Sequence, residues 1–442
     1  MLPTGKNRSM RLMVLGIALI SGAVSSAFSQ LPAPELARRW TMDGGQNFQA
    51  SVTSYDGTAV VFRMPDGSRA QAPAAKLSAE DRQYLADWQK RQPIKVALPD
   101  VVGVETAQMK AETVSEDPAA EKFVYRTQHF EFESQGKFNQ TLLREVARSF
   151  EATFELVKAL PWGIEPKPEN GGYFHARLLK DKEAYHAAGG PVNSGGVYKR
   201  GEAMFLVPFE NIGVKIVGRS YAKTEDFETH TMVHELTHQM MHAWLNFLPQ
   251  WVVEGTAEYT GNLPLRGGRF RVSAAKNGLK EYVDFLKRRT TEGVPEPYPL
   301  ERLFSITNAQ WAETLAAAPR TSHQLYFTSY LLVYYFMHLD GKGDSQTFVR
   351  YLREIGEVQK SVEKFRAAFE EFRQLPGVEV QVDGRYRFPG NLTPPETPAV
   401  LKSEDALNEM QAKTLKILLD GRSEAELMKR IRSAYARLGV RL

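Results

Sequence analysis

The chain of 442 residues contains no cysteine. This absence excludes disulfide bonds, a cysteine nucleophile, a cysteine-ligated iron–sulfur cluster and a lipidated N-terminal cysteine. Any catalytic or binding site must therefore be built from histidine, carboxylate and hydroxyl groups.

A strong charge of either sign is also lacking. The formal net charge is +4, and Lys6, Arg8 and Arg11 near the N-terminus carry most of it. The rest of the chain is almost neutral, so there is no electrostatic argument for binding nucleic acid. We expect no nucleic-acid partner.

The apolar run near the N-terminus is too short to cross a membrane. It extends from Leu12 to Val24, whereas a spanning helix needs about 20 residues. The run follows the basic residues and precedes Ala27-Phe28-Ser29, which is typical of a secretory signal peptide. We therefore expect residues 1–29 to be a signal peptide and the mature protein to be periplasmic or extracellular. No membrane span should remain after cleavage.

Residues 38–91 are predicted to form a small β module that ends in a helix. Turn signals at Asp56-Gly57 and Asp66-Gly67 separate β-rich stretches. Ser78, followed three residues later by Asp81, has the pattern of a helix N-cap.

Three further segments follow. Residues 92–120 lack periodicity and contain Pro93 and Pro99, which predicts a linker. Residues 121–375 begin with strands and continue with long helices, an order typical of an α+β domain. Residues 376–442 are predicted to be a C-terminal helical extension.

The most informative motif is His234-Glu235-Leu236-Thr237-His238. Residues i and i+4 lie on one face of a helix, so the two imidazoles can converge on one metal ion. Glu235 is then placed to take a proton from a water molecule at the open side of the metal.

A second predicted helix begins after Pro249 and carries Glu254 and Glu258. This helix can fold back on the first, so that Glu254 supplies a third metal ligand. Glu258 lies one turn later and can hydrogen-bond a ligating imidazole. His230 and His242 extend the i, i+4 series, but each further step drifts about 40° around the helix. We expect these two histidines to lie outside the ligand set.

Together, His234-Glu235-x-x-His238 and Glu254-Gly255-x-x-Glu258 resemble the motifs of the gluzincin metallopeptidases, especially the bacterial peptidase MA-like group. The resemblance implies a thermolysin-like catalytic domain, in which a mixed sheet is combined with active-site helices. It also implies that His234, His238 and Glu254 bind Zn²⁺ and that Glu235 is the general base.

Two further resemblances extend this picture. The Tyr-x-x-Ser helix of the MA-like group is matched by Tyr326-Phe327-Thr328-Ser329, which implies that Tyr326 stabilises the oxyanion. Residues 38–91 contain Arg39-Trp40, Asp43-Gly44, Phe48-Gln49-Ala50, Asp66-Gly67 and Leu77-Ser78-x-x-Asp81-x-x-Tyr84-Leu85. With these residues the segment resembles the SLA1 homology domain 1 (SHD1) family, which implies a small SH3-like β-barrel. We expect it to act as a spacer or docking module for a protein partner, and the alternative is specific peptide binding.

These features predict an exported zinc peptidase that acts on peptides or proteins. We expect the strand Met204–Val207 to be a sheet edge to which an extended peptide adds as another strand. The alternative is a catalytically inactive zinc-binding envelope protein that binds peptides or acts as a scaffold.

Overall fold

The computed structural model describes residues 18–19, 37–92, 96–169, 171–218, 220–224, 227–289, 294–317, 319–381 and 385–442. The chain divides into two compact units, Met1–Ile94 and Lys95–Leu442. The predicted signal peptide lies outside the described residues, apart from the short strand Ala18–Leu19.

The first unit is an antiparallel sheet packed against one helix. Its core includes Trp40 and Phe62 from the sheet and Leu85 and Trp88 from the helix. The Ser78 side chain accepts a hydrogen bond from the Asp81 amide at 3.2 Å, so the predicted N-cap is confirmed. The elements are β1 (Ala18–Leu19), β2 (Arg38–Thr41), β3 (Asn47–Tyr55), β4 (Ala59–Arg63), β5 (Arg69–Pro73) and α1 (Ala79–Arg91).

The strand order in this unit is β1-β5-β4-β3-β2. Within the described residues the sheet stays open, with β1 and β2 as its edges, and it does not close into a barrel. The SH3-like barrel, the SHD1 resemblance and a protein partner for this module therefore stay predictions.

The second unit contains a six-stranded mixed sheet with the order β11-β12-β10-β9-β8-β7. Strands β9, β10 and β12 run parallel, and the other neighbours are antiparallel. The strands up to β12 are β6 (Val101–Gly103), β7 (Glu112–Asp117), β8 (Lys122–Arg126), β9 (Phe130–Ser134), β10 (Phe174–Leu179), β11 (Val197–Lys199) and β12 (Met204–Pro208). Short hairpins follow: β13 (Val214–Val217), β14 (Ser220–Lys223), β15 (Leu265–Arg266), β16 (Arg269–Arg271), β17 (Glu379–Val380) and β18 (Tyr386–Arg387).

The strand order of the six-stranded sheet differs from the expectation about its peptide-binding edge. Strand β12, which contains Met204–Val207, lies between β10 and β11, so the expectation that it forms the edge is wrong. The strand at this edge of the sheet is β11, which has only three residues. A strand of this length carries no readable alternation, because a period of two needs several repeats to be visible.

The predicted linker, residues 92–120, also differs from expectation. It contains β6, which pairs with β16, and β7, which pairs with β8. The boundary between the units falls at Ile94 and Lys95, so most of this segment belongs to the second unit. Its strand residues are almost all exposed or half-buried, so they lack the apolar periodicity from which strands are predicted.

The helices of the second unit cover the sheet and carry the candidate site. Helix α2 packs Phe150 against Phe130 and Phe132 of β9, with ring centroids 5.4 and 5.0 Å away. Among the described helices, none combines the length and the hydropathy needed to cross a membrane. The helices are α2 (Gln140–Ala159), α3 (Lys182–Ala187), α4 (His230–Met240), α5 (Gln250–Gly261), α6 (Ala275–Arg289), α7 (Leu300–Ser305), α8 (Asn308–Ala317), α9 (Pro319–His338), α10 (Gln346–Arg373), α11 (Glu404–Leu419) and α12 (Glu424–Arg437).

The C-terminal helices are part of this unit and do not form a separate extension. The Tyr435 hydroxyl of α12 donates to the Leu331 carbonyl of α9 at 2.7 Å, in the buried core. Arg422 binds Asp340 at 2.6 Å, and both side chains are less than a tenth exposed. Helices α11 and α12 therefore contribute to the same core as α9, through Leu418 of α11 and Leu427 and Ile431 of α12.

Candidate active site

Helices α4 and α5 carry the predicted metal ligands and are tied together inside the core. The hydroxyl groups of Thr237 on α4 and Thr260 on α5 lie 2.6 Å apart. On the other side of α4, Gln239 donates to the His175 carbonyl of β10 at 2.9 Å. The site is thus attached both to the second helix and to the sheet.

A close approach of α5 and α9 accounts for the glycine that follows Glu254. A Cβ atom on Gly255 would lie 2.5 Å from the Ser329 carbonyl oxygen and 2.8 Å from the Cγ2 atom of Val333. Only glycine leaves room for the backbones to approach this closely. The crossing brings Tyr326, one helical turn before Ser329, to the side of Glu254.

Three predicted ligand atoms converge at one point. His234 Nε2 lies 3.0 Å from His238 Nε2, and Glu254 Oε2 lies 3.3 Å from the first and 3.5 Å from the second. Ligands at ~2.0–2.1 Å from a tetrahedral zinc ion are about 3.3 Å apart. Glu254 Oε2 is buried, and the two imidazole nitrogens are its polar neighbours in the site. Two imidazoles and a carboxylate with this spacing fit a zinc ion.

The charge of the carboxylate suits a cation. Burial alone would raise the pKa of Glu254, but the charge of His238 and hydrogen bonds from both imidazoles lower this pKa to about 2. The carboxylate is therefore ionised at neutral pH, as a metal ligand must be. Burial opposes the charging of His234, but hydrogen bonds to Glu254 and Glu258 raise its pKa well above the usual value, so this imidazole has to release a proton when it binds a metal ion.

Glu258 contacts two histidines, His230 and His234, next to the three converging ligand atoms. Its Oε1 atom lies 3.3 Å from His234 Nδ1, and its Oε2 atom lies 3.0 Å from His230 Nε2. These three residues form a second group that could hold a metal ion. However, His234 belongs to both groups, and its imidazole would have to lose both ring protons to bind two metal ions at once. Glu258 is therefore better suited to orienting His234, with His230 on its far side.

Glu235 is held by a residue that the sequence did not single out. Its Oε2 atom accepts a hydrogen bond from the backbone N–H of Tyr198 at 2.8 Å. Tyr198 is the middle residue of the edge strand β11, so the carboxylate faces the free edge of the sheet. Because the contact uses the main chain, no side-chain pattern could have revealed it.

Tyr326 faces the same space as Glu235 and His234. Its ring centroid lies 6.3 Å from that of His234. The pKa of Tyr326 is raised first by the negative charge of Glu254 and then by burial, so the phenol stays protonated and can donate. A cavity of about 480 Å³ joins these groups. Its lining is Asn193, Ser194, Gly195, His230, Thr231, His234, Glu235, Glu258, Tyr282, Phe285, Leu286, Ser322, His323 and Tyr326.

No family model, curated protein or solved structure matches this chain. Function must therefore be inferred from the geometry of these residues and from their chemistry.

Proposed function

We propose that this chain is an exported zinc-dependent peptidase of the gluzincin type. The observation that carries the proposal is the convergence of His234 Nε2 and His238 Nε2 of α4 with Glu254 Oε2 of α5, all within 3.5 Å of one another. Helix α4 also bears Glu235. Three protein ligands and an open fourth position are typical of catalytic zinc sites.

When bound, zinc supplies a Lewis acid that lowers the pKa of a water molecule and polarises the substrate carbonyl. The residues of the chain then handle the protons. Glu235 Oε2 accepts a hydrogen bond from the Tyr198 amide, which orients the carboxylate to accept the proton from water. Glu235 later returns this proton to the leaving amine.

Three other features bind or stabilise the substrate. An extended peptide that adds to the free edge of β11 passes directly beside Glu235, because Tyr198 contacts that carboxylate. Tyr326 donates its hydroxyl to the negative charge that develops on the carbonyl oxygen. The apolar side chains of Tyr282, Phe285 and Leu286 line the adjoining cavity, which can receive a substrate side chain.

Metal analysis and peptide digestion test this proposal. The purified protein should contain about one zinc ion per chain. His238→Ala should lose it, whereas the control His186→Ala, a histidine outside both histidine–carboxylate groups, should keep it. Full zinc content in His238→Ala would exclude this metal site.

The general base is tested by Glu235→Gln, which should keep zinc and the fold but lose at least ~10² in turnover. The matched control is Glu210→Gln, since Glu210 is half-exposed and pairs with Lys182; its turnover should be unchanged. Unchanged cleavage by Glu235→Gln would exclude this base. Bound zinc without cleavage of any peptide by the wild type would favour the inactive zinc-binding alternative.

A further inference from the structure

His242, which belongs to neither group of candidate metal ligands, contacts the edge strand. It begins the short turn His242–Trp244 after α4. Its Nδ1 atom lies 2.5 Å from the Tyr198 hydroxyl, and its Nε2 atom lies 3.1 Å from Glu169 Oε2. The side chain of Tyr198 therefore binds His242, while its main-chain amide binds Glu235.

The direction of these hydrogen bonds follows from their partners. An ionised carboxylate only accepts, so the bond to Glu169 assigns the ring proton to Nε2. His242 Nδ1 is then the acceptor, and the Tyr198 hydroxyl donates to it. Burial raises the pKa of Tyr198 and lowers the pKa of His242, which keeps both groups neutral.

The backbone ladder of strand β11 is short. It pairs with β12 over three residues on one side only. The next residue, Arg200, binds Asn246 in the segment that follows α4. A strand of three residues at the edge of a sheet is weakly held by its own ladder, because few hydrogen bonds oppose its fraying. Side-chain anchors therefore determine where its free edge lies.

We propose that His242 is a positioning residue, which acts through the Tyr198 hydroxyl to fix β11 where its amide meets Glu235. The kinetic consequence rests on the proposed peptidase function, whereas the placement of the strand does not. A displacement of about 1 Å at a catalytic group can lower turnover by 10²-fold. The proposal therefore predicts loss of kcat with little change in zinc content.

Hydrogen–deuterium exchange at the Tyr198 amide tests the placement directly. Tyr198→Phe removes only the hydroxyl, and His242→Leu removes the acceptor. Both should speed exchange of this amide by about 10-fold or more and lower kcat by a similar factor. His242→Asn should stay within about twofold of the wild type, because its Oδ1 atom can replace Nδ1 as acceptor.

A matched control separates positioning from general loss of stability. Tyr335→Phe removes another buried hydroxyl, which binds Asp340 at 3.1 Å on a different part of the unit. This variant should leave exchange at Tyr198 and kcat unchanged. Equal acceleration in Tyr335→Phe, or unchanged exchange in His242→Leu, would overturn the proposal.

The placement of β11 by His242 and the effect of this placement on catalysis are tested by different measurements. Faster exchange with normal kcat would show that β11 moves without affecting catalysis and would overturn the positioning role. If the wild type cleaves no peptide, the proposed peptidase function fails, and the exchange results alone decide whether His242 holds the strand.

Discussion

Replacing Gly255 with alanine should weaken the second unit and disturb its metal site at the same time. The new Cβ atom would lie 2.5 Å from the Ser329 carbonyl oxygen, where ordinary contacts begin at 3.4 Å. A close-packed interior cannot absorb this overlap without movement, so α5 and α9 must separate by roughly 1 Å. Glu254 precedes the substitution and would move with α5.

The size of the effect follows from two opposing contributions. Overpacking a core costs about 1–3 kcal/mol, and the upper half applies because a carbonyl of a packed helix cannot rotate away. Alanine favours a helix over glycine by about 1 kcal/mol, which offsets part of this loss. The net loss is about 1–2 kcal/mol, or a Tm lower by roughly 1–3 °C for a unit of this size. Zinc affinity should fall about 10-fold, as it does when a ligand's supporting contacts are removed.

Calorimetry and titration against a zinc chelator measure both effects. The control is Gly201→Ala, where a Cβ atom has no neighbour within 4 Å. Surface changes of this kind stay within about 0.5 kcal/mol. If Gly255→Ala matched the control in Tm and in zinc affinity, the close approach of the two helices would not be the reason for glycine at this position.

Three further predictions follow from the structure. Tyr326→Phe should lower turnover by about 10²–10³-fold with little change in Tm, because it removes only the donor to the oxyanion; normal turnover would remove Tyr326 from the site. Burial lowers the pKa of His338 to about 4, from an ordinary value of 6.5. As the pH falls, the unfolded chain therefore binds this proton at a higher pH than the folded chain does. The free energy of unfolding should decrease for this reason from about pH 6.5 down to pH 4, by up to roughly 3 kcal/mol. The variant His338→Gln can still accept a hydrogen bond from Tyr259, and its unfolding in urea should lack this part of the pH dependence. If the stability of the wild type and of the variant changed with pH in parallel, this explanation would be wrong. A chain that begins at Lys95 should fold and bind zinc, whereas one that begins at Glu121 lacks β6 and β7 and should melt lower; equal melting would show that these strands are dispensable.

Local sequence patterns account for the starts of two helices. Ser78 is predicted as an N-cap, and its side chain accepts from the Asp81 amide at 3.2 Å to cap α1. Pro249 directly precedes α5 and marks its start without a side-chain cap, since proline cannot continue a preceding helix. Capping and helical periodicity involve residues within one or two turns, so a single sequence is enough to read them.

Other parts of the site had no such local signal. Tyr198 reaches Glu235 through its main chain, and His242 reaches Tyr198 across 44 positions of the chain. The strands β6 and β7 were read as a linker because their side chains are mostly exposed and show no alternation. Each of these features depends on which segments meet in space, and periodicity does not contain that information.

Local patterns alone are enough to predict that His234 and His238 share one helical face, that Glu235 lies between them and that a new helix begins before Glu254. These are consequences of 3.6 residues per turn and of helix-start signals, which act over a few residues. The folded chain is needed to show that β11 is an edge strand, that its amide holds Glu235 and that Gly255 lies at a helix crossing. Strand order and helix crossings arise from hydrogen bonds and packing between distant segments, so they are properties of the folded chain as a whole.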